Sequence, residues 1–249
     1  MKKTILIAAA LVAMTACNKS LIEVTPAEEF GTITLGVTTD TEMVVTKATT
    51  EYDTYNVTLK QGNDVKWTKE LAEIETSDLK VPAGTYTIYV ENLTEAEAAP
   101  ADNHGAVRVA GTADVTVKAG IDNDVTVKCV AVNSRVTVAH SFGEIFTDPQ
   151  VTITDGERAL NMQWGHEESK GAYYSAGKSL SWNLSVTMAN GTKKTYSKNA
   201  ATTTVAKKWT KINFAPSSTD GNIIIEIVVD GTISEIVEVS ETIDPLGGN

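Results

Sequence analysis

The residues best suited to acid–base or metal chemistry are the three histidines, His104, His140 and His166. Their spacing contains no His-x-His or His-Glu-x-x-His pattern, and no pair of nearby cysteines completes a zinc site. The nearest approach to a ligand set is His166-Glu167-Glu168, but neighbours in an extended segment point to opposite faces. We therefore predict no metal site and no cofactor.

A second candidate for chemistry is Gly177-Lys178-Ser179, which resembles the end of a phosphate-binding loop. Five residues separate Gly171 from Gly177, whereas that loop motif requires four. No Gly-x-Ser-x-Gly elbow marks a hydrolase nucleophile, although the 32 acidic residues leave carboxylate pairs for glycoside cleavage open. We predict a non-catalytic protein and keep an enzyme without a recognisable motif as an alternative.

One stretch has the composition of a binding surface. It contains Trp164, His166, Tyr173 and Tyr174, separated by glycines and polar residues. Aromatic faces flanked by hydrogen-bonding groups commonly hold sugars or partner proteins. We name these four residues as a candidate ligand-binding site. The alternative interpretation makes Trp164 and one tyrosine core residues at the ends of a hairpin.

The elements that would position such residues are strands. From Gly31 onward polar and apolar residues alternate, as in residues 32–37, 56–59 and 85–90, and β-branched residues are frequent. Asp-Gly or Asn-Gly pairs, which favour tight hairpin turns, occur at four places, residues 155–156, 190–191, 220–221 and 230–231. The sequence therefore predicts an all-β protein.

Only one segment favours a helix, the stretch from Leu93 to Pro100. Thr94 and Glu97 have the spacing of a capping box, and Pro100 ends the segment after little more than one turn. Cys129, the one cysteine outside the leader, lies on the apolar face of its strand, so we expect a buried, inert thiol.

The alternation changes phase near Asn133-Ser134. Val125, Val127 and Cys129 share one face, whereas Val136 opens a run in which the even-numbered positions are apolar. Such a slip suits a crossing between two domains, and a bulge inside one long strand is the alternative. We predict two tandem immunoglobulin-like or transthyretin-like β-sandwich domains, residues 31–132 and 133–249.

The N-terminus has the features of a bacterial export leader. Lys2 and Lys3 precede an apolar run, and Met14-Thr15-Ala16-Cys17 is similar to a lipobox, in which the cysteine becomes acylated. We predict a signal peptide over residues 1–17, acylation of Cys17, a tether over residues 18–30, and a lipid partner in the outer membrane. A plain secretory leader with an incidental cysteine is the alternative.

The net charge of the chain limits the classes of partner that it can bind. The chain has 32 acidic and 21 basic residues and a formal charge of −11. A polyanion repels such a surface, so nucleic acid is excluded as a partner.

Three segments carry a resemblance to a known family: the first strand from Gly31 to Leu35, the string Val81-Pro82-Ala83-Gly84-Thr85-Tyr86, and the run from Ala113 to Gly120. Together with the leader, they resemble the fimbrillin-type surface lipoproteins of Bacteroidetes, in a branch known only as a domain of unknown function. The resemblance implies two tandem sandwiches on a lipid anchor at the cell surface, with roles in adhesion or pilus assembly.

The resemblance also implies a maturation step. In such fimbrillins a protease cuts after a basic residue that follows the first strand, and this frees a groove for a donor strand. Lys47 and Ala48 lie where that cut would fall, although Lys47 is also interpretable as an ordinary loop residue. The implied partners are other pilin-like subunits, a host protein or a glycan.

We therefore predict a non-catalytic, lipid-anchored surface protein for adhesion or fimbria-like assembly. The alternative is a carbohydrate-binding surface lipoprotein that supports glycan uptake, with Trp164, Tyr173 and Tyr174 as a stacking platform.

Overall fold

The computed structural model describes residues 29–40, 54–216, 223–229 and 232–239. Within these ranges the chain is almost entirely β-strand, with one four-residue helix, α1 (Glu95–Ala98), and short 3-10 turns. The predicted all-β class is therefore confirmed.

The first half contains seven described strands: β1 (Phe30–Asp40), β2 (Asn56–Gln61), β3 (Asp64–Glu70), β4 (Lys80–Pro82), β5 (Gly84–Glu91), β6 (Val109–Val117) and β7 (Asp122–Ala131). They form a single hydrogen-bonded sheet in the order β3-β2-β5-β6-β7-β1-β4. The strands β3 and β4 are therefore its two edges.

This sheet encloses its own core. The strands β6 and β7 pair at only two described positions. The Cys129 thiol of β7 lies 3.8 Å from the Val90 carbonyl oxygen of β5, although β5 and β7 are not neighbours in the sheet. Alternate residues of β2 and β5 are buried, as the two-residue period of a strand requires. Buried residues from Ile33 to Ala131 form one hydrophobic cluster.

The second half contains nine described strands: β8 (Asn133–His140), β9 (Phe146–Thr154), β10 (Ala159–Met162), β11 (Ala172–Ser175), β12 (Ser179–Met188), β13 (Lys193–Thr203), β14 (Trp209–Pro216), β15 (Ile223–Val229) and β16 (Thr232–Val239). They form a four-stranded sheet, β10-β9-β12-β13, and a five-stranded sheet, β11-β8-β14-β15-β16.

The two sheets of the second half pack against each other over a shared core. One cluster of buried residues includes Val138 and Phe214 from the five-stranded sheet and Trp182 from the other. The rings of Trp182 and Phe214 meet edge to face, with centroids 5.4 Å apart. In each half the first described strand pairs in parallel with a later strand, β1 with β7 and β8 with β14.

The passage between the halves has the predicted change of phase. β7 ends at Ala131 and β8 begins at Asn133, in a different sheet. Cys129 and Ala131 belong to the first core, whereas Val136 and Val138 belong to the second. An immunoglobulin-like sandwich has two sheets, whereas the strands of the first half form one continuous sheet. The division into two tandem sandwich domains near residue 133 therefore remains our proposal.

Several local predictions are confirmed. Thr94 and Glu97 form the capping box of α1, in which each side chain bonds the other residue's backbone N–H. Hairpins turn at Gly156 and Gly191, whose φ angles of +90° and +81° favour glycine. The turns at residues 220–221 and 230–231 lie outside the described ranges, but the strands that flank the latter pair antiparallel. Cys129 is buried.

Candidate functional site

The strand β1 occupies a slot between β7 and β4. It pairs in parallel with β7 at nine positions and antiparallel with β4 at three. Ile33 is the deepest side chain of β1, at 1% exposure, while Leu35 and Val37 are half-buried against the same core. The slot is therefore apolar on its inner side and lined by backbone groups along its length.

Gly31 marks the narrowest point of this slot. A Cβ atom at position 31 would lie 2.2 Å from the Lys118 carbonyl oxygen and 2.8 Å from a methyl carbon of Val117. No real Cβ atom approaches backbone so closely, so a side chain at this position requires the strands to move apart. Only glycine fits here because of space, and not because of its backbone angles.

Polar contacts hold the start of β1. The Asn123 amide nitrogen donates to the carbonyl oxygens of Thr32 and Ile121, at 3.0 Å each. The backbone N–H of Thr32 donates to the Ile121 carbonyl oxygen at 3.1 Å, and the backbone N–H of Ile33 donates to the Leu79 carbonyl oxygen at 2.9 Å. Asn123 thus links β1 to β7 through a side chain, a role that no sequence motif signals.

The predicted lipidation residue Cys17 and the predicted cleavage residues Lys47 and Ala48 lie outside the described residues. They remain predictions.

Trp164 lies at the margin of the second core. It is half-buried, and its indole N–H donates to the Pro149 carbonyl oxygen at 2.7 Å. Its ring makes edge contacts with His140, at a centroid distance of 4.6 Å, and with Phe214, at 5.8 Å. Desolvation by its neighbours lowers the pKa of the His140 imidazole, although the residue is exposed at the end of β8.

The two tyrosines lie on β11 with opposite environments. Tyr174 is fully buried, and the Arg158 guanidinium carbon lies 4.3 Å from its ring centroid. Burial raises the pKa of the Tyr174 phenol far above its usual value. Tyr173 is half-buried, and its backbone N–H donates to the His104 carbonyl oxygen of the first half at 2.8 Å. Tyr174 therefore offers no face to a ligand in solution.

His166 belongs to a chain of hydrogen bonds on the outer face of the five-stranded sheet. The Trp209 indole N–H donates to the Thr137 hydroxyl oxygen at 2.9 Å, and that hydroxyl lies 3.1 Å from His166 Nδ1. His166 Nε2 is 2.5 Å from the Asn213 amide oxygen, whose amide nitrogen donates to Glu226 at 3.3 Å. Because the Asn213 amide oxygen can only accept, His166 Nε2 donates in this bond.

The structure thus distributes the four candidate ligand residues over different environments. Trp164 and Tyr174 pack into or against the second core, Tyr173 contacts the first half, and His166 bonds across strands β8 and β14. A shared ligand-binding role for them stays a prediction.

The two halves meet at the loop that follows α1. The Asn133 amide accepts from the Arg108 N–H at 3.1 Å and donates to the Ala106 carbonyl oxygen at 2.8 Å. Arg158 donates to the carbonyl oxygens of Pro100 and Tyr173, so a second-half guanidinium joins both halves. These contacts fix how the chain passes from β7 to β8.

A cavity of about 640 Å³ opens between the edge strands β3 and β4. We call it the seam cavity; its lining residues include Gln61, Lys66, Trp67, Ser77, Lys80 and Pro82. The sequence did not indicate this cavity, because which strands become sheet edges depends on long-range pairing. Part of the Val81 to Tyr86 string, which carries the family resemblance, forms its wall.

An ion pair beside the seam cavity joins β3 to the segment that precedes β4. The Lys69 ammonium lies 2.7 Å from both carboxylate oxygens of Asp78, and the Trp67 indole N–H donates to the Asp78 carbonyl oxygen at 3.2 Å. Hydrogen bonding with Lys69 lowers the pKa of the Asp78 carboxyl, and bonding with Asp78 raises the pKa of the Lys69 ammonium.

Across the part of the chain that the structure describes, no three His, Cys, Asp or Glu side chains gather as a metal site would require. The same residues include no helix with the length and apolar character needed to cross a membrane.

Solved structures resemble the chain at low identity. A fimbrial assembly protein from Parabacteroides distasonis is 13% identical with a TM-score of 0.46, over 81% of this chain and 98% of that one. The tip fimbrial protein from Porphyromonas gingivalis with a C-terminal truncation is 8% identical, with a TM-score of 0.42, over 70% and 92%. A candidate polysaccharide-binding protein from Bacteroides thetaiotaomicron is 11% identical, with a TM-score of 0.49, over 85% and 99%.

Among curated proteins, none matches the chain. A family model described as Domain of unknown function (DUF4493) matches residues 29–245, which includes both halves. This match confirms the resemblance to a branch known as a domain of unknown function, and the chain belongs to the DUF4493 family.

Proposed function

We propose that this protein is a non-catalytic, lipid-anchored cell-surface protein that acts in adhesion or fimbria-like assembly. Acylated Cys17 would hold it in the outer membrane, and a cut between Lys47 and Ala48 would separate β1 from the rest of the chain. The observation that carries the proposal is the position of β1, which is the first described strand yet lies inside the sheet, between β7 and β4.

The slot explains why loss of β1 would create a binding site. Removing the strand would expose the backbone groups of β7 along nine paired positions and uncover the core contacts of Ile33. Unpaired strand edges and apolar surface together favour the entry of another strand. A cut chain would therefore bind an extended segment of a second subunit.

The shape of the slot sets the requirements for a replacement strand in the register of β1. It needs glycine where Gly31 lies, because the Lys118 carbonyl oxygen leaves no room for a Cβ atom. It also needs apolar side chains at the positions of Ile33, Leu35 and Val37, which pack on the first core.

The test is mass analysis of the mature N-terminus in protein sheared from cells, combined with an unboiled gel. We expect a start at Ala48 and a ladder of multimers. The Lys47→Ala variant should keep an acylated Cys17 start and run as a single band. The matched control Lys193→Ala, at an exposed side chain of the second half, should behave as the wild type. An acylated Cys17 start with one monomer band in the wild type would contradict assembly by strand removal.

A further inference from the structure

The seam cavity shares β4 with the slot of β1, because Lys80, Val81 and Pro82 line the cavity and also pair with β1. It lies apart from the four aromatic and histidine residues considered above. It opens where the sheet of the first half leaves its two edges, β3 and β4, facing each other. Its volume of about 640 Å³ is in the range of small-molecule sites. The cavity is therefore large enough for one or two sugar units or for a short peptide.

The two edges are poor templates for a peptide strand. β4 has only three residues, and β3 carries Lys66 and Lys69 and pairs with β2 through an irregular register near Leu59. Short edges, lysines and bulges are features that prevent strand addition. A ligand that does not rely on a backbone ladder fits the cavity better.

The lining combines an aromatic face with hydrogen-bonding groups. Trp67 is half-buried and held in place by its bond to the Asp78 carbonyl oxygen, and Pro82 contributes further apolar surface. Gln61 and Ser77 offer an amide and a hydroxyl group in the same lining. A fixed indole beside amide and hydroxyl groups suits a sugar ring, which has an apolar face and a hydroxyl rim.

The charges of the lining favour an anion. Lys66 and Lys80 both line the cavity, and the ion pair described for Lys66 is a 3.8 Å contact with exposed Asp64. The lining carboxylate of Asp78 is neutralised by Lys69, which leaves Glu29 as the remaining acid of the lining. The lining therefore carries two ammonium groups, Lys66 and Lys80, against the one carboxylate of Glu29, although the whole chain has a formal charge of −11.

We propose that the seam cavity binds an acidic saccharide, with a sugar face on Trp67 and its carboxylate beside Lys66 and Lys80. Gln61 and Ser77 bond the ring hydroxyls. Binding does not require the loss of β1, so the site is available in the uncut chain and does not depend on assembly.

The experiment is calorimetric titration of the full chain with oligogalacturonate, glucuronate-containing oligosaccharides and sialylated oligosaccharides. Methyl-esterified oligogalacturonate is the matched neutral ligand. We expect at least one acidic oligosaccharide to bind, its ester to bind at least tenfold more weakly, and affinity to fall as salt is raised. Failure of every acidic oligosaccharide to bind a folded sample would overturn the proposal.

Variants locate the site. The double variant Lys66→Gln/Lys80→Gln should lose at least tenfold in affinity, and the matched control Lys193→Gln/Lys194→Gln, at exposed residues of the other half, should lose less than twofold. Trp67→Ala should lose the stacking face and weaken binding of the acidic oligosaccharide. Trp67→Phe keeps an aromatic face and should bind within about threefold of wild type, so it separates loss of stacking from misfolding. Equal affinity in the lysine double variant, or displacement of the sugar by an oligoglutamate peptide at equal charge and concentration, would contradict a saccharide site.

Discussion

The first strands of the two halves, β1 and β8, have similar pairing but different burial. Each pairs in parallel with a later strand, β1 with β7 and β8 with β14, and each has a second neighbour, β4 or β11. In β8 the six residues from Asn133 to Val138 are all buried. In β1 the buried positions with described burial are Gly31 and Ile33, and Thr34 and Thr38 are exposed.

This difference indicates which strand is exchangeable. β8 contributes Val136 and Val138 to the core on one side, and its other side carries Arg135 and Thr137, which are covered by Trp209 and His166. Removing β8 would therefore expose two packed faces, whereas removing β1 exposes one. A parallel pair alone does not make a strand removable; burial on a single face does.

The largest expected effect is in the second core. Phe214→Ala removes a fully buried ring that contacts Trp164 and Trp182, and we expect it to lower the free energy of unfolding by about 3–5 kcal/mol. Urea denaturation followed by circular dichroism measures the change. A loss below about 1 kcal/mol would mean that the core beneath β8 is loosely packed and would remove the contrast with β1.

A smaller effect is expected for the slot of β1. Ile33→Ala truncates its most buried side chain and should cost about 2 kcal/mol, the lower end for such substitutions, because one face of the strand is open to solvent. The matched surface control is Thr34→Ala, which should change the unfolding free energy by less than about 0.5 kcal/mol. Equal losses in the two variants would show that β1 does not depend on its inner face.

The thiol next to the slot predicts a pH dependence. Burial raises the pKa of Cys129 to about 11 from an ordinary value of 9.0. The folded state then holds this proton more tightly than the unfolded state, so its contribution is present below pH 9 and is lost as the pH rises from about 9 to about 11. We expect wild type to lose about 2 kcal/mol more than Cys129→Val over that range. Parallel curves for the two proteins would contradict a buried thiol.

The smallest expected effect is at the helix beside the junction of the halves. Thr94→Ala removes the cap of α1 and should cost about 1 kcal/mol. Thr112→Ala, at an exposed strand position of the same half, is the control. Thermal unfolding monitored by circular dichroism separates the two, and identical midpoints would mean that α1 does not stabilise this region.

Features that depend on neighbouring residues were predictable from the sequence. The capping box of Thr94 and Glu97, the turns at Gly156 and Gly191, and the change of phase before Val136 all appear where the residue pattern indicates them. Each is determined by backbone preference or by the two-residue period of a strand, and these act within a few residues.

Features that depend on distant pairing were not predictable. Nothing in the local sequence indicates that β1 pairs with β7, some ninety positions later, or that β3 and β4 become the edges. The same limit applies to Tyr174. The composition of the surrounding stretch suggested a ligand-binding residue, but the pairing of β11 with β8 places Tyr174 opposite Ser134, where it is buried. The bond between His166 and Asn213 likewise joins segments far apart in the sequence.

Strand exchange in the full chain tests most directly whether β1 can be replaced. In an engineered variant, a recognition site for a sequence-specific protease replaces residues 46–48. A labelled peptide with the sequence of residues 30–40 is added before or after cleavage of this variant. We predict that only the cleaved protein incorporates the peptide while it keeps its β-sheet circular dichroism spectrum, and that the same peptide with Gly31→Val is not incorporated. Unfolding on cleavage, or no incorporation of either peptide, would contradict the account of β1 as an exchangeable strand.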